Sequence, residues 1–307
     1  MQNLLCAAIS TTQKEGFLNL EAFTQSVAPL SVDVLLRGET GTGKDTLAEK
    51  IHRLSGRPGK FIAINCAAIP ETLAESQLFG VNTGAFTGAN QSRAGFVEAA
   101  HNGTLYLDEI DSMPLTLQAK LLRVLESRTV QRLGSTECIP VNMRVIASAQ
   151  NSLGDMVERG DFRRDLYFRL NIVSLKLLPL RNKKERIVPL FQTLVRREAV
   201  VLKRPYVAPP PELLHHLLGY AWPGNIRELQ SAATRYVLGL PVLPQAEPVD
   251  NSQSTLKLKE HLQQFEKLLI EDCMRRHHRH IDKVIAELGI ARRTLYHRMK
   301  CLHISGG

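Results

Sequence analysis

Apolar positions along this chain follow two periods. Short runs of strand length stand at Ser31–Arg37 (SVDVLLR), Phe61–Asn65 (FIAIN), Thr104–Asp108 (TLYLD), Val141–Ala149 (VNMRVIASA) and Ile172–Leu175. Between them the spacing lengthens to that of a helix, as at Leu117, Leu121 and Leu125, which recur every four residues. Strands alternating with helices predict an α/β fold whose parallel sheet is covered by helices on both faces. From Lys184 to Leu240 strand signals fade and helical spacing dominates, predicting a smaller helical lid. Pro241–Thr255 (PVLPQAEPVDNSQST) has no periodicity and reads as a linker. Beyond it Leu256–Met274, Ile281–Leu288 and Arg292–Cys301 regain helical spacing, the last two separated by a glycine turn at Gly289. The expected division is an α/β subdomain with a short N-terminal extension over 1–183, a lid over 184–240, a linker over 241–255 and an all-α module over 256–307.

Composition changes this picture in two ways. With 307 residues and 44% hydrophobic residues the chain can bury more than one core. No run approaches the roughly eighteen apolar residues that span a bilayer, and the N-terminus lacks the pattern of a secretory signal, so a cytoplasmic location with no membrane partner is expected. Cys6, Cys66, Cys138, Cys273 and Cys301 are odd in number and form no Cys-x-x-Cys pair, which argues for reduced thiols. The formal charge of +9 points to a polyanionic partner, and its distribution says where. Lys257 to Lys300 holds eleven Lys or Arg against six Asp or Glu, the excess expected of a nucleic-acid-binding end. His277, His278 and His280 suggest a metal, but no nearby acid or thiol completes a set at the level of sequence.

Candidate chemistry starts after the first strand, in GETGTGKDT. Gly38, Gly41 and Gly43 let the backbone curl so that the N–H groups of Glu39, Thr40 and Thr42 and their neighbours face a phosphate. Lys44 adds a point charge, and the helix that follows adds its positive end. ATP with Mg2+ is the expected cofactor pair. Asp45 stands where a P-loop usually has the Ser or Thr that ligates magnesium, and Thr46 is one residue late, about 100° away round the helix. In TLYLDEID, Asp108 can hold Mg2+ and Glu109 can polarise the attacking water.

The hexapeptide Gly84, Ala85, Phe86, Thr87, Gly88, Ala89 (GAFTGA) reads either as a hairpin tip with an exposed aromatic or as a turn whose Phe folds inward. With the motifs above it resembles the AAA+ activators of sigma-54 RNA polymerase, the bacterial enhancer-binding proteins. GETGTGKDTLA, SQLFGV, LYLDEIDSMPL and RRTLYHRMK resemble the HrpR/HrpS-type regulators of type III secretion. The resemblance implies an AAA+ P-loop NTPase, a small helical lid and a C-terminal Fis-type helix-turn-helix. It implies that the hexapeptide touches sigma-54, that the subunits form a homo- or hetero-oligomer, a hexameric ring, and that Arg163 and Arg169 in FRRDLYFRLN reach a neighbour's nucleotide. Ion pairing of either arginine with Asp161 or Asp165 is the other reading. The resemblance also makes Arg227 in WPGNIREL a nucleotide sensor and Asn65 the restraint on Glu109, although a strand-end Asn can equally serve the backbone. Gln150 stands where the family usually has Asn.

In the C-terminal module Arg292, Arg293, Thr294, Tyr296, His297 and Arg298 are expected to face double-stranded DNA, with Leu295 and Met299 packed inward. A helix pair serving only dimerisation is the other reading. Three function classes follow: an ATPase that remodels the closed promoter complex of sigma-54 polymerase, a DNA-binding regulator with an inert or partner-dependent ATPase, and another kind of AAA+ remodeller. About thirty residues precede the first strand, fewer than the fifty or so a regulatory domain needs, so restraint is expected from expression level or from an anti-activator protein.

Overall fold

A computed structural model describes residues 20–86, 90–243, 266, 270, 273, 274, 277 and 280–302. The chain divides into two units, 1–243 and 244–307. In the first, α1 (Leu20–Val27) leads into β1 (Val34–Arg37), α2 (Lys44–Leu54), β2 (Phe61–Asn65) and α3 (Glu71–Phe79). A short ribbon, β3 (Gly80–Val81) with β4 (Arg93–Ala94), precedes α4 (Phe96–Ala99), β5 (Thr104–Asp108) and α5 (Leu115–Ser127). A second ribbon, β6 (Thr129–Val130) with β7 (Ile139–Pro140), is followed by β8 (Arg144–Ala149), α6 (Leu153–Arg159), α7 (Arg164–Leu170) and β9 (Val173–Lys176).

The sheet is parallel in the order β2-β5-β8-β1-β9. Alternate residues of β1 go to opposite faces, as strand geometry requires. Val34 and Leu36 join a core with Leu47, Ile51, Tyr106 and Ile146, and Leu35 joins another with Ile64, Leu105, Leu107 and Leu121. Both faces are therefore apolar, and polar groups collect at the strand ends. All carboxyl ends share one edge, where Asn65 pairs in register with Asp108, and Arg37 with Ala149.

The lid comprises α8 (Lys184–Val201), α9 (Pro211–Gly219) and α10 (Asn225–Val237) around Ile187, Phe191, Trp222 and Leu229. In the second unit, α11 (Ile281–Leu288) and α12 (Arg292–Cys301) pack through Val284, Leu295 and Met299 onto Ile270, Cys273 and Met274. Most of the expected helix Leu256–Met274 and residues 244–255 of the expected linker lie outside the described residues.

Several boundaries differ from the sequence expectation. The helix after the glycine turn begins at Lys44, before the stretch Thr46–Leu54 whose spacing reads as helical, because the positive φ of Gly43 ends the turn directly before it. The fourth long strand begins at Arg144 rather than Val141, since the Val141 N–H is taken by the Arg128 carbonyl beside the second ribbon. Helix α1 was not expected. Its end and the segment after it are held from a distance: the buried Arg144 guanidinium donates to Val27, Ala28 and Val32 oxygens at 3.0, 2.8 and 2.9 Å.

Candidate functional site

The glycine turn closes against the lid. Gly41 and Gly43 have φ of 75° and 92°, in the left-handed region that favours glycine. A Cβ on Gly41 would lie 2.3 Å from the Gly224 carbonyl oxygen, so no other residue fits there. The Gly41 carbonyl accepts from the Ile226 N–H at 2.9 Å, and the Thr40 carbonyl from Asn225 Nδ2 at 3.0 Å. Glu39 accepts from Arg181 at 2.8 Å and from Asn225 at 3.2 Å, and the Arg181 hydrogen bond holds its carboxyl below the usual glutamate range. Thr42 turns back onto the Glu39 carbonyl at 2.7 Å. The buried Lys44 Nζ donates to the Gly38 and Glu39 carbonyls at 2.8 and 3.1 Å.

Across from this turn stand the acids at the carboxyl edge. Asp108 Oδ1 accepts from Ser148 Oγ at 2.5 Å and lies 3.1 Å from the Tyr106 hydroxyl. Tyr106 donates to Asp45 Oδ1 at 2.7 Å. Burial pushes the Tyr106 phenol well up and the two aspartates add to this, so it stays a protonated donor. Glu109 has φ 54° and ψ 48°, a left-handed conformation that a residue with a Cβ adopts at a cost, and its N–H donates to Ser148 Oγ at 3.2 Å. Asn65 corrects an expectation: Nδ2 lies 3.4 Å from Asp108 Oδ2, not against Glu109, because strand register sets Asn65 beside Asp108. Its Oδ1 accepts from the Ala67 and Ala68 N–H groups. Gln150 accepts from Thr40 Oγ1 at 2.8 Å, so its longer arm reaches the glycine turn.

A cavity of about 240 Å³ joins these groups, lined by Thr40, Gly41, Gly43, Lys44, Asp45, Thr46, Asp108, Glu109 and Arg227. Beside it an apolar cavity of about 410 Å³ is lined by Thr42, Leu177, Leu180, Lys183, Leu190 and Ile226. A cradle in which a Cβ has no room, a lysine over its carbonyls, facing acids and an adjoining apolar cavity fit a nucleoside triphosphate with a divalent cation. Arg181, Ser148, Asn225 and Tyr106 hold the residues of this site in place, although the sequence alone singles out none of them.

Arg163 and Arg169 lie away from this cavity. Arg163 pairs with Asp165 at 2.7 Å, which holds the carboxyl low and the guanidinium high. Arg169 donates to Asp33 at 2.8 Å, at the amino edge of the sheet. Asp33, 2% exposed, also accepts from the Val145 N–H and has Arg128 3.8 Å away. Arg169 thus meets neither Asp161 nor Asp165. In the hexapeptide Gly84 has φ 80° and Phe86 is 48% exposed, the outward alternative, while Thr83 and Ser92 close the base of the loop. Thr87, Gly88 and Ala89 lie outside the described residues.

In the second unit Leu295 and Met299 point inward, and Arg292, Arg293, Thr294, Tyr296, His297 and Arg298 are exposed. Gly289, φ 64°, makes the turn between the helices. Arg292 lies 3.7 Å from Asp282 and Arg298 3.2 Å from Glu266. The expectation that no acid or thiol completes a set beside the histidines is corrected in part: Cys273, His277 and Glu287 have ligand atoms within 4.8 Å of one another, and His277 and Glu287 are hydrogen-bonded. Helix packing brings Glu287 there from ten residues away. His278 lies outside the described residues. Among the described residues no helix is long and apolar enough to cross a membrane.

Comparison with known proteins gives three family matches: the sigma-54 interaction domain over residues 11–176, the AAA+ ATPase lid domain over 181–241, and the bacterial regulatory protein, Fis family, over 261–302. The chain is 57% identical to the "pathogenicity locus probable regulatory protein" WtsA of Pantoea stewartii subsp. stewartii, with 94% of this chain and 88% of that protein covered. It is 57% identical to HrpS of Pseudomonas syringae pv. syringae, covering 93% and 94%, and 52% identical to HrpR of the same organism, covering 91% and 88%. Among solved structures, NtrX from Brucella abortus in complex with ADP matches with a TM-score of 0.74 at 28% identity, over 99% of this chain and 73% of that one. NtrX in complex with ATP matches with a TM-score of 0.73 at 30% identity, over 93% and 67%.

Proposed function

From the premise that this chain belongs to the sigma-54-dependent transcriptional regulators, of the HrpR/HrpS pathogenicity type, we propose that it hydrolyses ATP to remodel the sigma-54 RNA polymerase closed complex and open promoters of type III secretion genes. The observation that carries this reading is the pairing, across one cavity, of a glycine turn holding Lys44 with the strand-end acids Asp108 and Glu109. Backbone N–H groups of the turn and Lys44 bind the phosphates, and the apolar neighbouring cavity takes the base. Magnesium, held by Asp108, would supply charge neutralisation at the phosphates. Glu109, which borders the cavity, orients and polarises the attacking water. Arg227 contacts nucleotide from the lid. Arg163, and Arg169 if released from Asp33, serve a neighbour's site in a hexameric ring. The exposed Phe86 carries the sigma-54 contact, and Arg292 to Arg298 the DNA contact.

Two variants test the division of labour. Lys44→Ala should lose ATP binding, whereas Glu109→Gln should bind ATP and lose turnover; normal hydrolysis by both would dismiss this site. Thr87→Ala should hydrolyse ATP yet fail to activate transcription from a sigma-54 promoter. Parallel loss of both activities would put the hexapeptide in the nucleotide site instead.

A further inference from the structure

We propose that Asp45, aimed by the Tyr106 hydroxyl, fills the place in the magnesium shell that the absent P-loop hydroxyl leaves, which makes Tyr106 a positioning residue of the nucleotide site. The proposal rests on the ATP reading above. Tyr106 is two residues before Asp108 on β5, so its ring stands on the same sheet face, buried to 2% exposure between Phe61 and the α2 side of the core. Only its hydroxyl emerges, and it emerges between two carboxylates, 2.7 Å from Asp45 Oδ1 and 3.1 Å from Asp108 Oδ1.

A phenol has one proton to donate, and the shorter contact assigns it to Asp45. Asp108 Oδ1 takes its proton contact from Ser148 instead. Each aspartate therefore has one oxygen tied to a hydroxyl; the second oxygen of Asp108 has only the Asn65 amide, at 3.4 Å. Asp45 Oδ2 has no hydrogen-bond partner among the described residues, and both side chains border the same cavity. Two carboxylates this close repel unless a cation joins them. Neither is ion-paired, because the Lys44 amine is bonded to backbone carbonyls. Oxygen-only donors on two sides of a phosphate cradle suit magnesium. Thr46 also borders the cavity, but it stands about 100° further round α2 and makes no hydrogen bond to Tyr106 or Asp108, so Asp45 is the residue that Tyr106 directs. A carboxylate reaches further than a serine hydroxyl and rotates more freely, so it needs an external group to set its direction. Tyr106 supplies it.

The test is Mg2+-dependent binding of ADP and of a non-hydrolysable ATP analogue to the full chain, with Mn2+ uptake followed by electron paramagnetic resonance. Tyr106→Phe keeps the ring packing, and unchanged thermal unfolding would verify the fold. This variant should need about tenfold more Mg2+ for half-maximal binding, the low end of what a lost hydrogen bond to a charged group costs, with metal-free affinity unchanged. Asp45→Thr restores the usual P-loop hydroxyl; in that background Tyr106→Phe should add nothing. An equal effect of Tyr106→Phe in both backgrounds, or none in either, overturns the proposal. Nucleotide binding by the unaltered chain that ignores Mg2+ overturns it and leaves the ATP reading standing, whereas no nucleotide binding at all overturns both.

Discussion

The two edges of the central sheet treat charge in opposite ways. At the amino edge the buried Asp33 meets Arg169, Arg128 and a backbone N–H, and the nearby buried Arg144 is spent on three carbonyls. Charge there is cancelled within the chain. At the carboxyl edge Asp45, Asp108 and Glu109 border a cavity without a cation: Asp45 and Asp108 meet hydroxyls and one amide, Glu109 is held by its backbone N–H, and Lys44 turns to the backbone. Asp45 is exposed and Asp108 and Glu109 are half-buried, so water can solvate this edge until a ligand brings the compensating charge, whereas the buried Asp33 needs its partners within the chain. Removing a cation from the first edge should therefore cost stability. Removing an anion from the second should cost function.

The largest effect belongs to Glu109→Gln, which should lower ATP turnover by roughly a thousandfold, within the range of a lost general base. Its thermal midpoint should stay where it was or rise, because like charge at that edge falls; a clear drop would erase the contrast. Next comes Arg169→Ala. Breaking a buried pair costs about 3–5 kcal/mol, but Arg169 is partly exposed and Arg128 remains nearby, so about 2 kcal/mol is expected. In a unit of this size that is a fall of roughly 4–8 °C in midpoint. An unchanged midpoint would free Arg169 for the intersubunit role that the family resemblance implies.

Arg163→Ala breaks only the exposed pair with Asp165 and should shift the midpoint by no more than about 1 °C. Mixed with Lys44→Ala subunits it should regain part of the lost turnover, since the two defects then fall on different sides of a shared site. Proven co-assembly without rescue would count against Arg163 acting in trans. The smallest effect is expected in the second unit. Arg292 and Arg298 have acidic partners there, while Arg293 meets none among the described residues. Arg293→Ala should weaken binding to DNA of every sequence alike and reduce the salt slope by about one, measured by titration at several ionic strengths. Loss at a single base position would make it a base-reading residue.

Local pattern was enough for the glycine turn, the strand-end acids and the inward Leu295 and Met299, because spacing along one element determines each of them. Contacts made between elements were not legible. Tyr106 inside TLYLD reads as one more core residue, and only the approach of α2 to β5 brings its hydroxyl to Asp45. Asn65 is drawn to Asp108 by strand register, which the run FIAIN does not reveal. Arg169 lies 136 positions from Asp33, and Glu287 reaches His277 only after two helices fold together. The ribbons β3–β4 and β6–β7 are two residues per strand, too short for any alternation to appear.

The central claim is that turnover at the carboxyl edge drives promoter opening, and promoter melting by sigma-54 RNA polymerase tests it most directly. Purified chain, polymerase and a sigma-54 promoter would be combined with ATP or with a non-hydrolysable analogue, and open complexes scored by single-strand footprinting. Opening with ATP alone, absent with the analogue and absent with Glu109→Gln, is the expected result. Equal opening with the analogue, or opening undiminished in Glu109→Gln, would show that hydrolysis at Glu109 is not what opens the promoter.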